Sequence, residues 1–366
     1  MKPYIVIFLL LGAAACKKSG SPSSNNNNNN SNPTQPADSN YNPVDPALPP
    51  TVGFFGNGWK GRTFNAPPEN TTSVSTSLPV SDSLVIDVNR VLAKVPPTVF
   101  GNNSNLWMGQ IVTQASLMQY IGDLSPNIIR APAGSISDTY FWNGSDANPK
   151  PADAPDSVYT SGSLGSIGSW YGGDNASWTL SLSNYYSLLA QTGSTAIFTV
   201  NYGYARYGTG TSPVDSAAHL AASWVRSDNG RTKFWEIGNE CYGSWEAGYQ
   251  IDPARNHDGQ PAIVTGALYG THFKVFADSM RAAAQSIGAT IYIGAVLYGT
   301  PPQSYDDNTV QTWNQGVLAN AGSTADFFIV HDYFTGYNTN STVPQILSTG
   351  LSEAPAVMTY VKQQLQ

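Results

Sequence analysis

The sequence predicts an α/β fold of the (β/α)8-barrel (TIM-barrel) type, incomplete at its C-terminus, with about six of the eight strands present. Three observations carry that expectation. Short apolar runs rich in β-branched and aromatic residues recur along the chain, as strands covered on both faces do. Segments with helical spacing lie between them, so strand and helix alternate, which means a parallel sheet with crossovers. Polar and glycine-rich residues gather where the runs end, at Gly101–Asn103, Arg130–Gly134, Asn201–Gly203, Gly238–Glu240 and His331–Tyr333. In a barrel those ends form the functional face. A doubly wound open sheet is the alternative, but no glycine fingerprint for a dinucleotide follows the first strand.

The apolar runs are Leu84–Val88, Pro97–Gly101, Asn127–Pro132, Ala196–Gly203, Lys233–Glu240, Ala289–Leu297 and Asp326–Tyr333. The helical patterns are Ser183–Thr192, Ser216–Ser227, Tyr269–Ile287 and Val343–Leu365, the last broken near Gly350. Tyr269–Ile287 carries Phe273, Phe276, Ala277, Met280 and Ala284 on one stripe. Residues 143–181 form a long insertion rich in Gly, Ser, Pro and Asp. Its Trp170, Tyr171 and Trp178 either stack against sugars or pack the loop onto the barrel.

The chain begins with an address. Lys2 precedes an apolar run, Ile5–Leu11, that is too short for a membrane-spanning helix. Small residues (Gly12 to Ala15) then lead to Cys16. That pattern predicts a lipoprotein signal peptide over 1–16, cleavage before Cys16 and acylation of that cysteine. The consequence is export and a lipid anchor in the bacterial cell envelope, at the outer membrane. Residues 17–50 are mostly Ser, Asn, Pro, Gly and Asp and cannot bury enough apolar surface to fold, so they read as a disordered tether. Residues 51–96 are an N-terminal extension with short strands, and 97–366 are the partial barrel.

Charged residues are only 11% of the chain and the net charge is −7, which excludes nucleic acid as a partner. After Cys16 only Cys241 remains as a cysteine, and the four histidines (His219, His257, His272, His331) are scattered. No metal site and no cofactor are expected. Abundant Tyr, Trp, Asn, Ser, Thr and Gly suit a neutral, polyhydroxylated ligand such as an oligosaccharide or polysaccharide.

The residues that carry chemistry close the fourth barrel strand, Trp235-Glu236-Ile237-Gly238-Asn239-Glu240. Glycoside hydrolysis needs one carboxyl to protonate the leaving oxygen and a second to attack or to activate water. Glu240 fits the first role, and the amide of Asn239 suits a sugar hydroxyl. Apolar neighbours are expected to raise the Glu240 pKa and keep it protonated.

These segments resemble those of clan A retaining glycosidases, closest to the α-L-arabinofuranosidase type. Asn127–Trp142 is similar to that family's second-strand Arg-Pro-Gly-Gly…Trp segment, with Ala131 and Ala133 as departures. Asn201–Thr211 with Ala217–Asn229 resembles its third-strand turn, Trp235–Trp245 its acid/base strand, and Phe327–Tyr333 its sixth-strand His-x-Tyr. The resemblance implies Glu240 as acid/base and Asn239 as the ligand of a substrate hydroxyl. It puts Arg130 beneath the site, paired with Glu236. It has His331 and Tyr333 lining the pocket and orienting the second carboxylate, and Asn201, Tyr202 and Trp235 completing the substrate-binding set. In this family the nucleophile ends a seventh strand. After Tyr333 only one helical segment is expected, and Glu353 suits a helix start rather than that role. The expectation is therefore a piece of a longer enzyme. A non-catalytic glycan-binding lipoprotein or a truncated inactive remnant is the alternative.

Overall fold

The computed structural model describes residues 95–366 except 167, 169, 337 and 338. The signal peptide, Cys16, the tether, the Leu84–Val88 run and most of the N-terminal extension lie outside the described residues.

Within the compact unit Pro97–Gln366, six strands form one parallel sheet. They are β1 (Gly101–Asn103), β2 (Ile128–Ala131), β3 (Thr195–Val200), β4 (Phe234–Ile237), β5 (Tyr292–Val296) and β6 (Phe327–Ile329). Each pairs with the next in chain order, so the sheet runs β1 to β6 without a reversal. Helices fill the crossovers: α1 (Ala115–Leu124), α2 (Leu182–Thr192), the short α3 (Gly203–Tyr207) followed by α4 (Pro213–Asp228), α5 (Gly266–Ser286) and α6 (Asn308–Ala321). A last helix, α7 (Val343–Gln364), follows β6. This is the α/β pattern of a (β/α)8 barrel with six of its eight strands, curled into a half-barrel whose edges are β1 and β6.

Strand alternation decides which side chains reach the barrel interior. On β4, Trp235 is fully buried and meets Phe198 of β3 and Trp224 of α4, at ring-centroid distances of 5.4 and 5.6 Å. That face packs on the helices. Its alternate, Glu236, lies beside Thr199 of β3 in register and bonds to it. Arg130, Thr199 and Glu236 therefore share the inner face. Outside, the stripe foreseen on α5 is buried: Phe273, Phe276, Ala277 and Met280 are all 0% exposed. Each of the larger ones contributes about 1.5–3 kcal/mol of burial.

Local chemistry sets the element ends. Ser181, Thr265 and Asp307 each accept a hydrogen bond from the backbone N–H three residues on, capping α2, α5 and α6. Thr342 and Gln345 form a reciprocal capping box at the start of α7.

Two expectations need correction. The first strand is not Pro97–Gly101: Pro97–Val99 is a 3-10 turn and the strand is Gly101–Asn103. Pro96 and Pro97 have no N–H for a ladder. At Gly101 a Cβ would lie 2.4 Å from Ile128 Cγ2, so only glycine lets β1 close on β2. Second, α7 runs through Gly350, and Glu353 is an interior helical residue. A single glycine costs a helix only about 1 kcal/mol relative to alanine, and the capping box secures the N-terminus. The long insertion, 143–181, carries pairing of its own. Tyr140–Phe141 pairs in parallel with Trp170–Tyr171, and Ser157–Thr160 forms an antiparallel hairpin with Ser163–Ser166.

Candidate active site

The floor of the half-barrel is an ion pair. Arg130 Nε donates to Glu236 Oε2 at 2.7 Å, and Thr199 Oγ1 donates to the same oxygen at 2.7 Å. The two charged side chains are 11% and 4% exposed. Arg130 Nη2 also reaches Asn239 Oδ1 at 3.0 Å. The pairing of Arg130 with Glu236 drawn from the sequence is thus present, and it extends to the end of β4.

Past β4 the backbone turns sharply. Gly238 has φ +76°, and a Cβ there would sit 2.4 Å from Cys241 Sγ. Glu240 has φ +43°, in the left-handed region that non-glycine residues avoid. The Glu240 carboxylate is held at both oxygens. Trp245 Nε1 donates to Oε2 at 3.0 Å, and His331 Nδ1 lies 2.8 Å from Oε1. His331 follows β6, so two strand ends converge on this carboxylate.

Burial alone raises the Glu240 pKa. The hydrogen bond and charge of His331, the Trp245 bond and the charge of Arg130 outweigh it, and the net shift is below the ordinary value. The sequence expectation was the reverse. It counted the apolar neighbours and put His331 at the second carboxylate, whereas His331 bonds Glu240 itself.

Two further carboxyls belong to this site and were not singled out in the sequence. Asp138 accepts from the backbone N–H groups of Gly203 and Asn239, both at 3.1 Å. Glu246 Oε1 accepts from Ser135 Oγ and Asn239 Nδ2, both at 2.8 Å, while its Oε2 is buried without a hydrogen-bond partner. Each residue is 1% exposed. Burial pushes both carboxyls above the ordinary range: Asp138 despite the N–H donors and Arg130, Glu246 with further help from the charge of Asp138. The signal that could have found Glu246 is its place beside Trp245, at the limit of the acid/base segment.

The other predicted residues divide. Asn239 is 2% exposed and both ends of its amide are engaged, with Arg130 and Glu246. Tyr333 is 78% exposed at the end of β6. Asn201, Tyr202 and Trp235, expected to contact substrate, are instead buried and engaged with protein groups. Asn201 bonds Tyr140 O and Tyr207 Oη and caps the turn at Tyr204 N. Tyr202 is 1% exposed, with its hydroxyl 3.2 Å from His272 Nδ1. Trp235 lies in the sheet–helix layer and donates to Thr232 O. Among the described residues no group of three or more His, Cys, Asp or Glu is arranged to hold a metal ion. Cys241 is a free buried thiol.

Fold and site together define a protein of the (β/α)-barrel class, with its polar face at the C-terminal ends of β2, β4 and β6. No family model and no curated protein matches the chain. Among solved structures it is similar to an α-L-arabinofuranosidase from Thermotoga maritima in complex with arabinose, at 20% identity and TM-score 0.41, covering 67% of this chain and 45% of that one. It is similar as well to AbfB, a family 51 α-L-arabinofuranosidase from Bifidobacterium longum (17%, TM-score 0.46, 74% and 51%). A third is a family 39 glycoside hydrolase from Bacteroides cellulosilyticus WH2 (12%, TM-score 0.35, 69% and 44%). The chain spans about half the length of each. With every TM-score below 0.5, the chemistry must be argued from the site itself.

Proposed function

We propose that this chain is a retaining glycoside hydrolase acting on plant-type polysaccharide or oligosaccharide, α-L-arabinofuranosidase-like in its sugar, with Glu240 as its acid/base. One observation supports this above the others: Glu240, at the end of the fourth strand, is gripped by Trp245 and by His331 from the sixth. A carboxyl in that position serves both half-reactions. Protonated, it gives its proton to the glycosidic oxygen as the bond to the leaving group breaks. Ionised, it takes a proton from the water that attacks the anomeric carbon. His331 Nδ1, 2.8 Å from Oε1, fixes the direction of the carboxyl. The resemblance assigns the second carboxylate to a seventh strand; the sheet described here has six. Asn239, fixed between Arg130 and Glu246, is the amide that the resemblance assigns to a sugar hydroxyl.

The test is hydrolysis of an aryl α-L-arabinofuranoside by the protein and by Glu240→Gln. Loss of about 10²-fold or more in kcat supports the acid/base role; turnover equal to the parent's removes it.

A second reading, glycan binding without turnover, is favoured by a specific observation. The Glu240 carboxyl is held below the usual range, so in this state it is ionised at neutral pH. Oligosaccharide binding with no hydrolysis by the parent protein would select that reading. We propose in addition that Cys16 carries the lipid that anchors the exported protein to the outer membrane.

A further inference from the structure

Three tryptophans from two distant segments meet at the surface. Trp107 lies in a 3-10 turn (Leu106–Met108) just after β1, while Trp170 and Trp178 belong to the insertion between β2 and β3. The ring centroids of Trp107 and Trp170 are 5.8 Å apart at 64°, and those of Trp170 and Trp178 are 5.9 Å apart at 82°. The array is therefore a chain of edge-to-face indoles with Trp170 at its centre. Trp107 and Trp178 are 62% and 56% exposed. Aromatic surface of this kind, left in water, marks a binding site more often than a single exposed ring does.

The array is rigidly held. Leu180 N–H donates to Leu106 O at 2.8 Å and Gln110 Nε2 to Ala176 O at 2.9 Å; Asn184 Nδ2 donates in turn to Gln110 Oε1. Leu106 and Leu180 are buried beneath it. Gly109, at φ +63°, allows the two segments to approach, since a Cβ would lie 3.2 Å from Ser177 O. The indoles are thus positioned before any ligand arrives, which reduces the entropy lost on binding.

The surroundings define the ligand. Residues 95–122 contain no charged side chain, and residues 157–182 contain only Asp174, which is occupied in bonding Ala176 N–H. A nucleic acid would need cations. An anionic ligand finds no counter-charge in these segments, and the two carboxylates near the array, Asp174 and Asp146, are bonded to Ala176 N–H and Tyr171 Oη. A neutral sugar ring has what this surface takes, an apolar face of C–H groups to lay on an indole and hydroxyls left to water.

We propose that Trp107, Trp170 and Trp178 form a carbohydrate-stacking platform, a subsite in addition to the one at Glu240, that holds successive neutral sugar units of an oligosaccharide chain. The glycan class rests on the function proposed above; the platform itself does not rest on Glu240 chemistry.

The test is titration of the whole chain with xylohexaose, arabinohexaose and the corresponding disaccharides, read by tryptophan fluorescence and calorimetry. Trp107→Ala and Trp178→Ala are compared with the parent. Both positions are exposed, and unchanged circular dichroism and Tm check that the fold is kept. The expected result is a fluorescence change with at least one hexaose, and affinity for it reduced about tenfold, or 1.4 kcal/mol, in each variant. Added salt leaves the affinity unchanged. Hexaose binding identical in parent and variants overturns the platform and leaves the Glu240 reading intact. Absence of hexaose binding by the parent at millimolar concentration overturns it too. So does concentration-dependent dimerisation that either variant abolishes, which would assign the indoles to a second copy of the chain. If binding depends on the tryptophans but no aryl glycoside is hydrolysed, the platform stands and the catalytic reading falls.

Discussion

His272 offers a quantitative check on how the ground beneath the site is built. It lies on α5, 6% exposed, with Nδ1 3.2 Å from the Tyr202 hydroxyl. Burial first, and then the charge of Arg206, lower its pKa from 6.5 to about 4, with Asp258 opposing. Arg206 is itself fully buried and bonded to Gln260 Oε1 and to the carbonyls of Gly248, Pro261 and Ala262, all of them neutral. A protonated His272 would add a second buried cation to this neighbourhood. The folded-state value lies below the unfolded one, so the neutral ring is favoured by folding. That stability is complete above pH 6.5 and is lost as the pH falls towards 4. At 1.36 kcal/mol per pKa unit, the loss is about 2 kcal/mol at pH 5 and about 3 kcal/mol at pH 4. The perturbation is His272→Gln, which keeps a polar side chain and cannot titrate. Urea unfolding of both proteins at about pH 7.5 and about pH 5 gives the stability difference between them at each pH. The acid loss caused by Glu240, whose folded-state pKa is also depressed, occurs in both proteins and cancels. The parent's advantage over the variant should shrink by about 2 kcal/mol on going to the lower pH. If that advantage changes by less than about 0.5 kcal/mol, the ring is not held neutral and the reasoning fails.

Two other outcomes follow from the structure and the sequence. Glu246 has a folded-state pKa raised by burial, so its contribution is intact below about pH 4 and is lost as the pH rises through the raised value. Glu246→Gln retains an oxygen for Ser135 and Asn239 and removes the titration. Between pH 5 and 8 it should lose less stability than the parent by at least about 1 kcal/mol in urea unfolding, and an equal loss refutes the assignment. For the anchor, Cys16→Ser should move the protein from the membrane fraction to the soluble fraction and abolish labelling by a radioactive fatty acid; continued labelling means that another residue is acylated.

The parts of the fold that sequence reveals are those with local causes. Strands β2 to β6 were visible because each is a short apolar run followed by polar or glycine residues, and α5 because its stripe is regular. Helix α1 was missed because none of its residues is buried, and α6 because polar residues dilute Trp313 and Val317. The pairing of Arg130 with Glu236, which the resemblance implied, is present in the structure. The site was not legible at Asn201, Tyr202 or Trp235. A strand apolar throughout does not announce which face meets the helices, and a polar group near a strand end is as easily consumed in holding a turn. Asp138 could be recognised only once the chain had brought residues about 100 apart in sequence into contact, as with Asp138 and Asn239.

The geometry after β4 fixes the directions of two neighbouring side chains. In an extended strand, Asn239 and Glu240 would simply point to opposite faces. Here the left-handed values at Gly238 and Glu240 turn the chain instead. Asn239 is driven inward, where Arg130 and Glu246 fix the direction of its amide, while Glu240 meets Trp245 and His331. A glutamate at φ +43° costs roughly 1–3 kcal/mol, which glycine would avoid. The bonds to its two oxygens, and the one from Gly243 N–H to its carbonyl at 2.7 Å, offset that cost. The strain is therefore local to the carboxylate. A chain shaped only for stability would place glycine there and leave His331 free. The strained glutamate is doubly held over a floor of a buried ion pair and buried acids, which fixes its carboxyl in one position.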